Sequence, residues 1–357
     1  MSKLHYEWTL KDANFTKDKG KVFSCFACGG GSTMGYKLAG FDVIGHNDID
    51  KRMIEVYKAN HNPKYSFLES ITTFAKRKDL PKELYNLDIL DGSPPCSSFS
   101  MAGKREKDWG KDKKFREGQA EQVLDTLFFD FIDLAKELQP KVVIAENVKG
   151  LMMGAAKEYV KKIYKLFKDA GYQLKVEPYL LDASKMGVPQ RRQRVFFIAL
   201  RNDLATPFIY NVDMFQTAPK LDLNYKETNV LFKEIIDMKG RELSDNMKKV
   251  WQQRINGDSS MQKGSERLNG KSNYFSQSYL YKNKIPGTLT SHEDSQVLFD
   301  APRYTSKNEA CKIGSFPLDY NFLKNKPHYL IGMSVPPLMT AKIALEVYNQ
   351  WLNKLEL

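Results

Sequence analysis

The chain has 357 residues, of which 42% are hydrophobic, and its formal net charge is +12. This length predicts about two domains, and the apolar content excludes wholesale disorder. The excess of basic residues favours a polyanionic partner, with nucleic acid ahead of an acidic membrane. No apolar run reaches the roughly 18 residues of a membrane span, and the start lacks the apolar core of a signal peptide. We therefore expect a cytoplasmic protein without a membrane partner.

The first half of the chain alternates strand-like and helix-like segments. An apolar run over 21–31 ends in glycines, after which Ser32 is predicted to cap a helix and Gly40 to end it. Further strands are predicted at 41–48, 87–95, 141–148, 172–181 and 194–201, and helices at 51–60, 120–138 and 155–169. This alternation predicts an α/β fold with a Rossmann-like, doubly wound sheet.

The regular pattern stops after about residue 202. Residues 241–285 are rich in Asn, Ser, Gln and basic side chains, which indicates a smaller, irregular, basic module. The segment "SVPPLMTAKIALEVYNQWLNKL" then predicts an amphipathic helix that packs back on the first domain. We predict four parts: an N-terminal extension at 1–20, a catalytic domain at 21–202, a small domain at 203–327 and a C-terminal helix at 328–357.

The pair Cys25-x-x-Cys28 could belong to a zinc site or a redox site. Zinc needs about four ligands, and Cys96, Cys311 and the histidines are scattered without a second pair at metal spacing. Three glycines follow Cys28, and glycine is a poor start for the helix that a thioredoxin-type pair opens. We expect neither a metal nor a redox pair.

The glycine turn at 29–31 favours a nucleotide-type cofactor. A turn of this kind after a first strand lets a ligand approach the backbone, and Asp48 ends the second strand where an acid commonly holds ribose hydroxyls. The cofactor could be a dinucleotide or S-adenosylmethionine. The alternative is an ordinary tight turn with Asp48 as a helix cap.

Two reactive side chains follow later strands. The prolines of "DGSPPCSSFSMAG" would present Cys96 at one strand end, and Glu146 closes the strand at 141–148. Together they form an acid–nucleophile pair; the alternatives are a small buried cysteine and a helix-capping glutamate. In "PQRRQR", Arg192 and Arg194 could point to the same region or belong to a solvated charge run.

Six segments in chain order resemble those of the DNA (cytosine-5) methyltransferases. They are "CFACGGGSTMGYKLAGF", "SPPCSSFS", "PKVVIAENVKGL", "GVPQRRQRVFFIA", "RYTSKNEACKIGSFPLDY" and "YLIGMSVPP", and they extend over about residues 21–350. The resemblance implies a class I methyltransferase fold with a mixed sheet and a small target-recognition domain. It implies transfer of a methyl group from S-adenosylmethionine to carbon 5 of a cytosine flipped out of a specific double-stranded DNA sequence, leaving S-adenosylhomocysteine.

The resemblance also assigns roles. Cys96 would add to carbon 6 of cytosine, Glu146 would hold or protonate the ring at N3, and Arg194 would contact the base carbonyl or support Glu146; Arg192 belongs to the same motif. The implied cofactor-binding residues are Phe26, Ala27, Cys28, Gly29, Gly30, Gly31, Asp48, Ile49, Ser70, Ile71, Ser93, Pro95, Met333, Ser334 and Val335. The predicted DNA-binding residues are Ser98, Ser100, Gly103, Lys104, Arg105, Arg267 and Thr288, the first five in or just before a charged loop at 103–118.

The cofactor motifs depart from the family pattern at several positions. The family turn reads Asp-Leu-Phe-x-Gly-x-Gly-Gly, and here Ser24 replaces the Asp and Cys28 the first Gly. Cys28 must adopt a conformation usually given to glycine, or the turn differs locally. Asp48 is shorter than the usual Glu, Ile49 replaces a frequent aromatic residue, and Met333 replaces Asn.

Three other functions remain open from the sequence. The chain could be a catalytically silent DNA-binding relative, an RNA (transfer RNA) cytosine-5 methyltransferase or, from the glycine turn alone, an NAD oxidoreductase. For the enzyme we expect a monomer encoded by a bacterium or phage, with a cognate restriction endonuclease as a candidate partner.

Overall fold

The computed structural model describes residues 4–95, 112–113, 122–123, 126–153, 156–210, 218–237, 239–292 and 294–355. The chain forms two compact units. The sheet unit comprises Asn14–Leu181, Gln193–Asn224 and Thr340–Leu357, and the small unit comprises Met1–Ala13, Asp182–Arg192 and Tyr225–Met339. Both units combine segments that are distant in the chain, whereas the predicted domains are continuous, and the predicted bounds stay a prediction.

The regular elements follow one another in chain order. The strands are Lys21–Cys25 (β1), Asp42–Asp48 (β2), Tyr65–Leu68 (β3), Ile89–Gly92 (β4), Asp112–Lys113 (β5), Gln122–Val123 (β6), Val142–Val148 (β7), Tyr172–Leu174 (β8), Tyr179–Asp182 (β9), Gln193–Arg201 (β10), Ser278–Leu280 (β11) and Gln296–Leu298 (β12). The helices are Gly31–Leu38 (α1), Lys51–His61 (α2), Ile71–Phe74 (α3), Leu127–Leu138 (α4), Ala156–Asp169 (α5), Asn202–Ala205 (α6), Pro207–Tyr210 (α7), Asp245–Gln252 (α8), Gln262–Asn269 (α9), Lys307–Ile313 (α10), Pro327–Met333 (α11), Pro337–Val347 (α12) and Asn353–Leu355 (α13). A π-helical turn, Tyr348–Leu352, joins the last two helices.

The sheet unit is built on one mixed sheet with the strand order β3-β2-β1-β4-β7-β10-β8, and β9 pairs with β10. Neighbours from β3 to β7 are parallel, and β10 is antiparallel to both β7 and β8. The central strand β4 is buried along its whole length, as expected for a strand covered by helices on both faces. The predicted α/β fold with a doubly wound mixed sheet is confirmed.

Helix α4 shows how the pattern of apolar residues directs packing onto this sheet. Phe128 and Phe131 recur at helical spacing and are both fully buried. The Phe128 ring meets Phe197 of β10 edge-on, with 5.4 Å between ring centroids. The helix begins at Leu127, later than the predicted residue 120.

The C-terminal region is a broken helix rather than the single helix predicted. Helix α11 ends at Met333 and α12 begins at Pro337, because Pro336 and Pro337 cannot continue the hydrogen-bond ladder of α11. Within the described ranges, Pro327–Leu355 is the one segment with the length and apolar content of a membrane span, and 78% of its most apolar stretch is buried in the protein. Such burial is the behaviour of a core segment.

The small unit is more regular than its composition suggests. Strands β11 and β12 pair in parallel beside α8 and α9 over a core of Leu243, Val250, Met261, Tyr279, Val297 and Tyr304. A buried ion pair joins Arg303 to Glu309 through two hydrogen bonds of 2.8 Å. The N-terminal segment belongs to this unit, where the indole of Trp8 donates to the carbonyl of Ser315 at 2.9 Å.

Candidate active site

The parallel strands bring the predicted site segments to one edge of the sheet. Cys25, the last residue of β1, pairs with Asn47 of β2 and with Gly92 of β4, and Gly92 pairs with Ala145 of β7. The glycine turn, Asp48, the Pro-Pro segment and Glu146 therefore all lie at or just beyond the carboxyl ends of neighbouring strands. Open α/β sheets bind their ligands at this edge.

The glycine turn has the left-handed conformation that its sequence only partly predicts. Gly30 has a φ of 87°, and Phe26 and Cys28 have φ of 53° and 48° although neither is glycine. Cys28 thus adopts the conformation expected of the glycine it replaces, at a cost of about 1–3 kcal/mol. Gly30 cannot be replaced without strain, because a Cβ there would clash with the imidazole of His61. Helix α1 starts directly after Gly30, which offers no capping side chain.

Asp48 fastens this turn to the end of β2. One carboxylate oxygen accepts the amide of Cys28 at 2.7 Å, and the other accepts the amide of Asp50 at 2.8 Å. Asp50 in turn caps α2 through the amide of Arg52 at 2.9 Å. Asp48 thus links the turn to the start of α2. The predicted ribose contact stays a prediction.

A buried histidine on β2 gives the sheet unit a pH-dependent stability. The ring of His46 stacks on Tyr57 at 3.5 Å, its Nε2 lies 2.8 Å from the hydroxyl of Ser66, and burial lowers its pKa to about 3. The unfolded chain binds this proton near pH 6.5 and the folded chain does not, so the contribution to stability is complete above pH 6.5 and is lost as pH falls toward 3. We expect the free energy of unfolding of His46→Gln to fall less steeply over this window, as measured by urea unfolding at several pH values. Equal slopes for the two proteins would contradict this account.

Asp91 is a buried acid that the sequence reasoning did not assign. Its carboxylate accepts the hydroxyls of Ser24 and Ser32, each at 2.7 Å, and that of Tyr36 at 3.1 Å. Burial raises its pKa to about 6 although the three hydrogen bonds act in the opposite direction. The prediction of Ser32 as a helix cap is wrong, because the cap residue is Gly30 and the Ser32 hydroxyl is directed to Asp91. An acid inside the apolar strand "LDILDG" was the available signal, since a buried carboxylate needs partners.

The segment before the predicted nucleophile is held by β7. The side-chain amide of Asn147 donates to the carbonyl of Pro94 at 3.1 Å, and its oxygen accepts the amide of Val148 at 2.8 Å. Ser93 and Pro95 belong to this segment. Asn147 therefore fixes the path of the chain toward Cys96, a role that its place in "AENV" did not reveal. Six predicted residues lie outside the described ranges, namely Cys96, Ser98, Ser100, Gly103, Lys104 and Arg105.

Glu146 and Arg194 form an ion pair at this edge. Antiparallel pairing of β7 and β10 places Arg194 opposite Val148 and thus beside Glu146. The Nε atom of Arg194 lies 2.9 Å from a carboxylate oxygen of Glu146, and only 16% and 12% of the two side chains are exposed. Burial lowers the pKa of the Arg194 guanidinium, and the charge of Glu146 opposes that shift. A carboxylate held in one orientation by a charged partner is suited to bind a base edge.

Arg192, two residues earlier, is placed differently. It belongs to the small unit, where its buried guanidinium donates to the carbonyls of Gly332 at 3.0 Å and Leu289 at 3.3 Å. These bonds join the last turn of α11 to the loop that contains Leu289. The predicted catalytic role of Arg192 stays a prediction, and the catalytic proposal below is argued from Arg194.

The two described candidates for DNA contact are engaged within the small unit. The guanidinium of Arg267 forms two 2.7 Å hydrogen bonds with the carboxylate of Asp258. The hydroxyl of Thr288 donates to the carbonyl of Arg191 at 2.7 Å. Arg267 thus stabilises the fold of this unit, since a two-pronged ion pair orients the guanidinium toward protein. The predicted DNA contacts of Arg267 and Thr288 stay predictions.

The remaining cofactor candidates fall into two groups. In the sheet unit, Ser70 caps α3 by accepting the amide of Thr73 at 3.2 Å, Ile71 is buried in the core, and Ile49 is half-buried after β2. In the small unit, Met333 ends α11, the hydroxyl of Ser334 donates to the carbonyl of Leu330 at 2.8 Å, and Val335 is buried.

Cys25 and Cys28 are both buried free thiols. Burial raises the pKa of the Cys25 thiol well above its ordinary value. Over the residues that the structure describes, no group of three or more His, Cys, Asp or Glu side chains could hold a metal ion.

Comparison with known proteins agrees with this arrangement. A model of the family described as C-5 cytosine-specific DNA methylase matches residues 20–349. The Type II methyltransferase M.FnuDI of Fusobacterium nucleatum is 31% identical over 265 residues, which are 74% of this chain and 67% of that protein. M.NgoPII of Neisseria gonorrhoeae is 36% identical over 53% of this chain and 50% of its own length. M1.HphI of Haemophilus parahaemolyticus is 26% identical over 92% of this chain and 87% of its own length.

Solved structures support the fold. A prophage-encoded DNA modification methyltransferase from E. coli superposes with a TM-score of 0.62 at 22% identity, covering 93% of this chain and 99% of its own. The S. pombe Dnmt2 methyltransferase superposes with a TM-score of 0.57 at 15% identity, covering 93% of this chain and 99% of its own. With the family model matched over most of the sequence, the chain belongs to the C-5 cytosine-specific DNA methylase family and is a DNA cytosine-5 methyltransferase.

Proposed function

We propose that this enzyme methylates a cytosine extruded from a specific double-stranded DNA sequence, with Cys96 as nucleophile and Glu146, held by Arg194, as the group that binds the base. The observation that carries the proposal is the Glu146–Arg194 ion pair near the end of β7, where the following residue, Asn147, donates to the carbonyl of Pro94. Cys96 comes two residues after Pro94 in the sequence, and we assign its thiol to the edge of the sheet where this carboxylate lies.

The chemistry explains why a thiol and a carboxyl are both needed. Carbon 5 of cytosine is a poor nucleophile, and addition of a thiolate to carbon 6 converts the ring into an enamine. Glu146 stabilises that adduct by holding a proton at N3 and by accepting a hydrogen bond from the exocyclic amine. Carbon 5 of the enamine then takes up the methyl group that S-adenosylmethionine would supply. A base removes the proton from carbon 5, and Cys96 leaves as the double bond re-forms. Inside a duplex the ring is out of reach, so the target must leave the stack.

The glycine turn fits S-adenosylmethionine, which supplies the electrophilic methyl group when bound. A ligand can approach the backbone of this turn closely because Gly29 has no side chain. The first amides of α1 are donors suited to the carboxylate of the methionine moiety, since no side chain caps this helix. We assign Asp48, the last residue of β2, to a ribose hydroxyl of the methyl donor.

The DNA-binding part of the proposal rests on charge. The net charge of +12 suits a phosphate backbone, and the segment 103–118 carries seven basic residues directly after the Cys96 motif. The Type II names of the relatives suggest a cognate restriction endonuclease as partner. We expect a monomeric, cytoplasmic enzyme of bacterial or phage origin, in line with the sources of relatives such as the Bacillus phage SPR orphan methyltransferase.

One experiment tests activity and substrate together. The gene is expressed in a host that lacks cytosine methylation, and its genomic DNA and transfer RNA are both sequenced for 5-methylcytosine. We expect methylation of DNA at one short recognition sequence. Methylation confined to transfer RNA would establish the RNA enzyme, and no methylation of either would favour the silent DNA-binding relative.

A further inference from the structure

Two acids near opposite ends of strand β4 both bind β1, one just before the strand and one within it. Asp88 precedes the strand, accepts the amide of Lys21 at 2.7 Å and forms an ion pair with Lys141 at 2.7 Å. Asp91 lies near the other end, where it is 4% exposed and no lysine or arginine pairs with it among the described contacts. Its partners there are three hydroxyl groups.

The three hydroxyls come from both sides of the glycine turn. Ser24 lies on β1 just before the turn and is the direct register partner of Asp91 across the parallel pair. Ser32 and Tyr36 lie on α1 just after the turn, four residues apart and therefore on one face of the helix. One carboxylate thus fastens the entrance and the exit of the turn to a neighbouring strand.

This position also accounts for the unusual residue in the turn. The family pattern has an acid where this chain has Ser24, and the acid is found instead on the next strand, 2.7 Å from the Ser24 hydroxyl. Because the two residues face each other in register, exchanging them keeps one hydroxyl and one carboxyl in nearly the same place.

We propose that Asp91 is the positioning residue of the cofactor turn and supplies from β4 the carboxylate that the turn itself lacks at Ser24. The inference rests on the proposed role of the turn in binding S-adenosylmethionine. Asp91 acts through Ser24, Ser32 and Tyr36, which fix where the turn backbone and the first amides of α1 lie. Its loss should weaken binding of the methyl donor more than it slows the reaction at saturation, because Glu146 is on another strand.

The test is an exchange of the two side chains. Asp91→Ser should raise the KM and the dissociation constant for S-adenosylmethionine about 10-fold or more, since a hydrogen bond to a charged group is lost, with kcat changed less than about threefold. Ser24→Asp alone should also weaken binding, because it places two carboxylates in contact. The double variant Ser24→Asp, Asp91→Ser should recover binding to within about threefold of the wild type, by the coupling expected of residues in contact.

Asp88→Asn is the matched control, because it removes an acid that joins the same two strands at the far end. It should lower the thermal midpoint without changing the KM for S-adenosylmethionine. If Asp91→Ser does not fold, Asp91→Asn gives the same comparison at constant side-chain size. The proposal is overturned if the double variant binds S-adenosylmethionine no more tightly than the single variant with the lower affinity. It is also overturned if Asp88→Asn raises the KM for S-adenosylmethionine as much as Asp91→Ser does. A wild-type protein that does not bind S-adenosylmethionine would instead refute the proposed function.

Discussion

Replacing Cys96 with alanine is expected to lower the rate of methyl transfer by more than about 10⁴-fold, because without the thiolate carbon 5 is not activated. The rate is measured as transfer of a labelled methyl group to DNA that contains the recognition sequence. DNA with 5-fluorocytosine at the target gives a second readout. A base can remove a proton from carbon 5 but cannot remove fluorine as F⁺, so the carbon 6 adduct persists. The wild type should form a complex that survives denaturation, and Cys96→Ala should form none.

Cys311→Ala is the matched control for this prediction. Cys311 is a buried free thiol of the small unit and is not among the residues assigned to catalysis, cofactor binding or DNA binding. The variant should retain both methyl transfer and the denaturation-resistant complex. Methylation by Cys96→Ala at more than about one tenth of the wild-type rate would rule out covalent catalysis through this residue.

Glu146→Gln is expected to reduce kcat by about 10²–10⁴-fold, the range that a positioned acid or base contributes. Glutamine keeps the size of the side chain and one acceptor for Arg194, so the 2.9 Å contact can persist while the charge and the transferable proton are lost. The measurement is single-turnover methyl transfer at saturating DNA and methyl donor, which separates chemistry from binding.

The control for Glu146 is an exposed glutamate of the same unit. Glu158 on α5 pairs with Lys161 at 2.7 Å, and 80% of its side chain is exposed. Glu158→Gln should leave kcat unchanged. The affinity of Glu146→Gln for DNA should stay within about tenfold of the wild type. A kcat of Glu146→Gln equal to that of the wild type would exclude Glu146 from the mechanism.

The elements of the sheet unit could be predicted because their signals are local. The alternation of apolar strands with amphipathic segments predicted β1, β2, β4, β7 and β10. Each of these patterns depends only on residues that are a few positions apart in the sequence. The position of Glu146 at a strand end followed from the same reasoning. The resemblance implied two alternative roles for Arg194, contact with the base carbonyl or support of Glu146. The register of β7 with β10 brings Arg194 into contact with Glu146.

The sequence by itself determined the fold class, the edge of the sheet that carries the site and the chemistry of the residues brought there. Only the tertiary structure decided which partner each polar side chain takes. Ser32 reads as a helix cap but donates to Asp91, 59 residues later, and Arg192 and Arg194 stand two apart yet belong to different units. The physical reason is that a buried polar group must find its hydrogen-bond partner wherever the packed chain provides one, and sequence distance does not limit that choice.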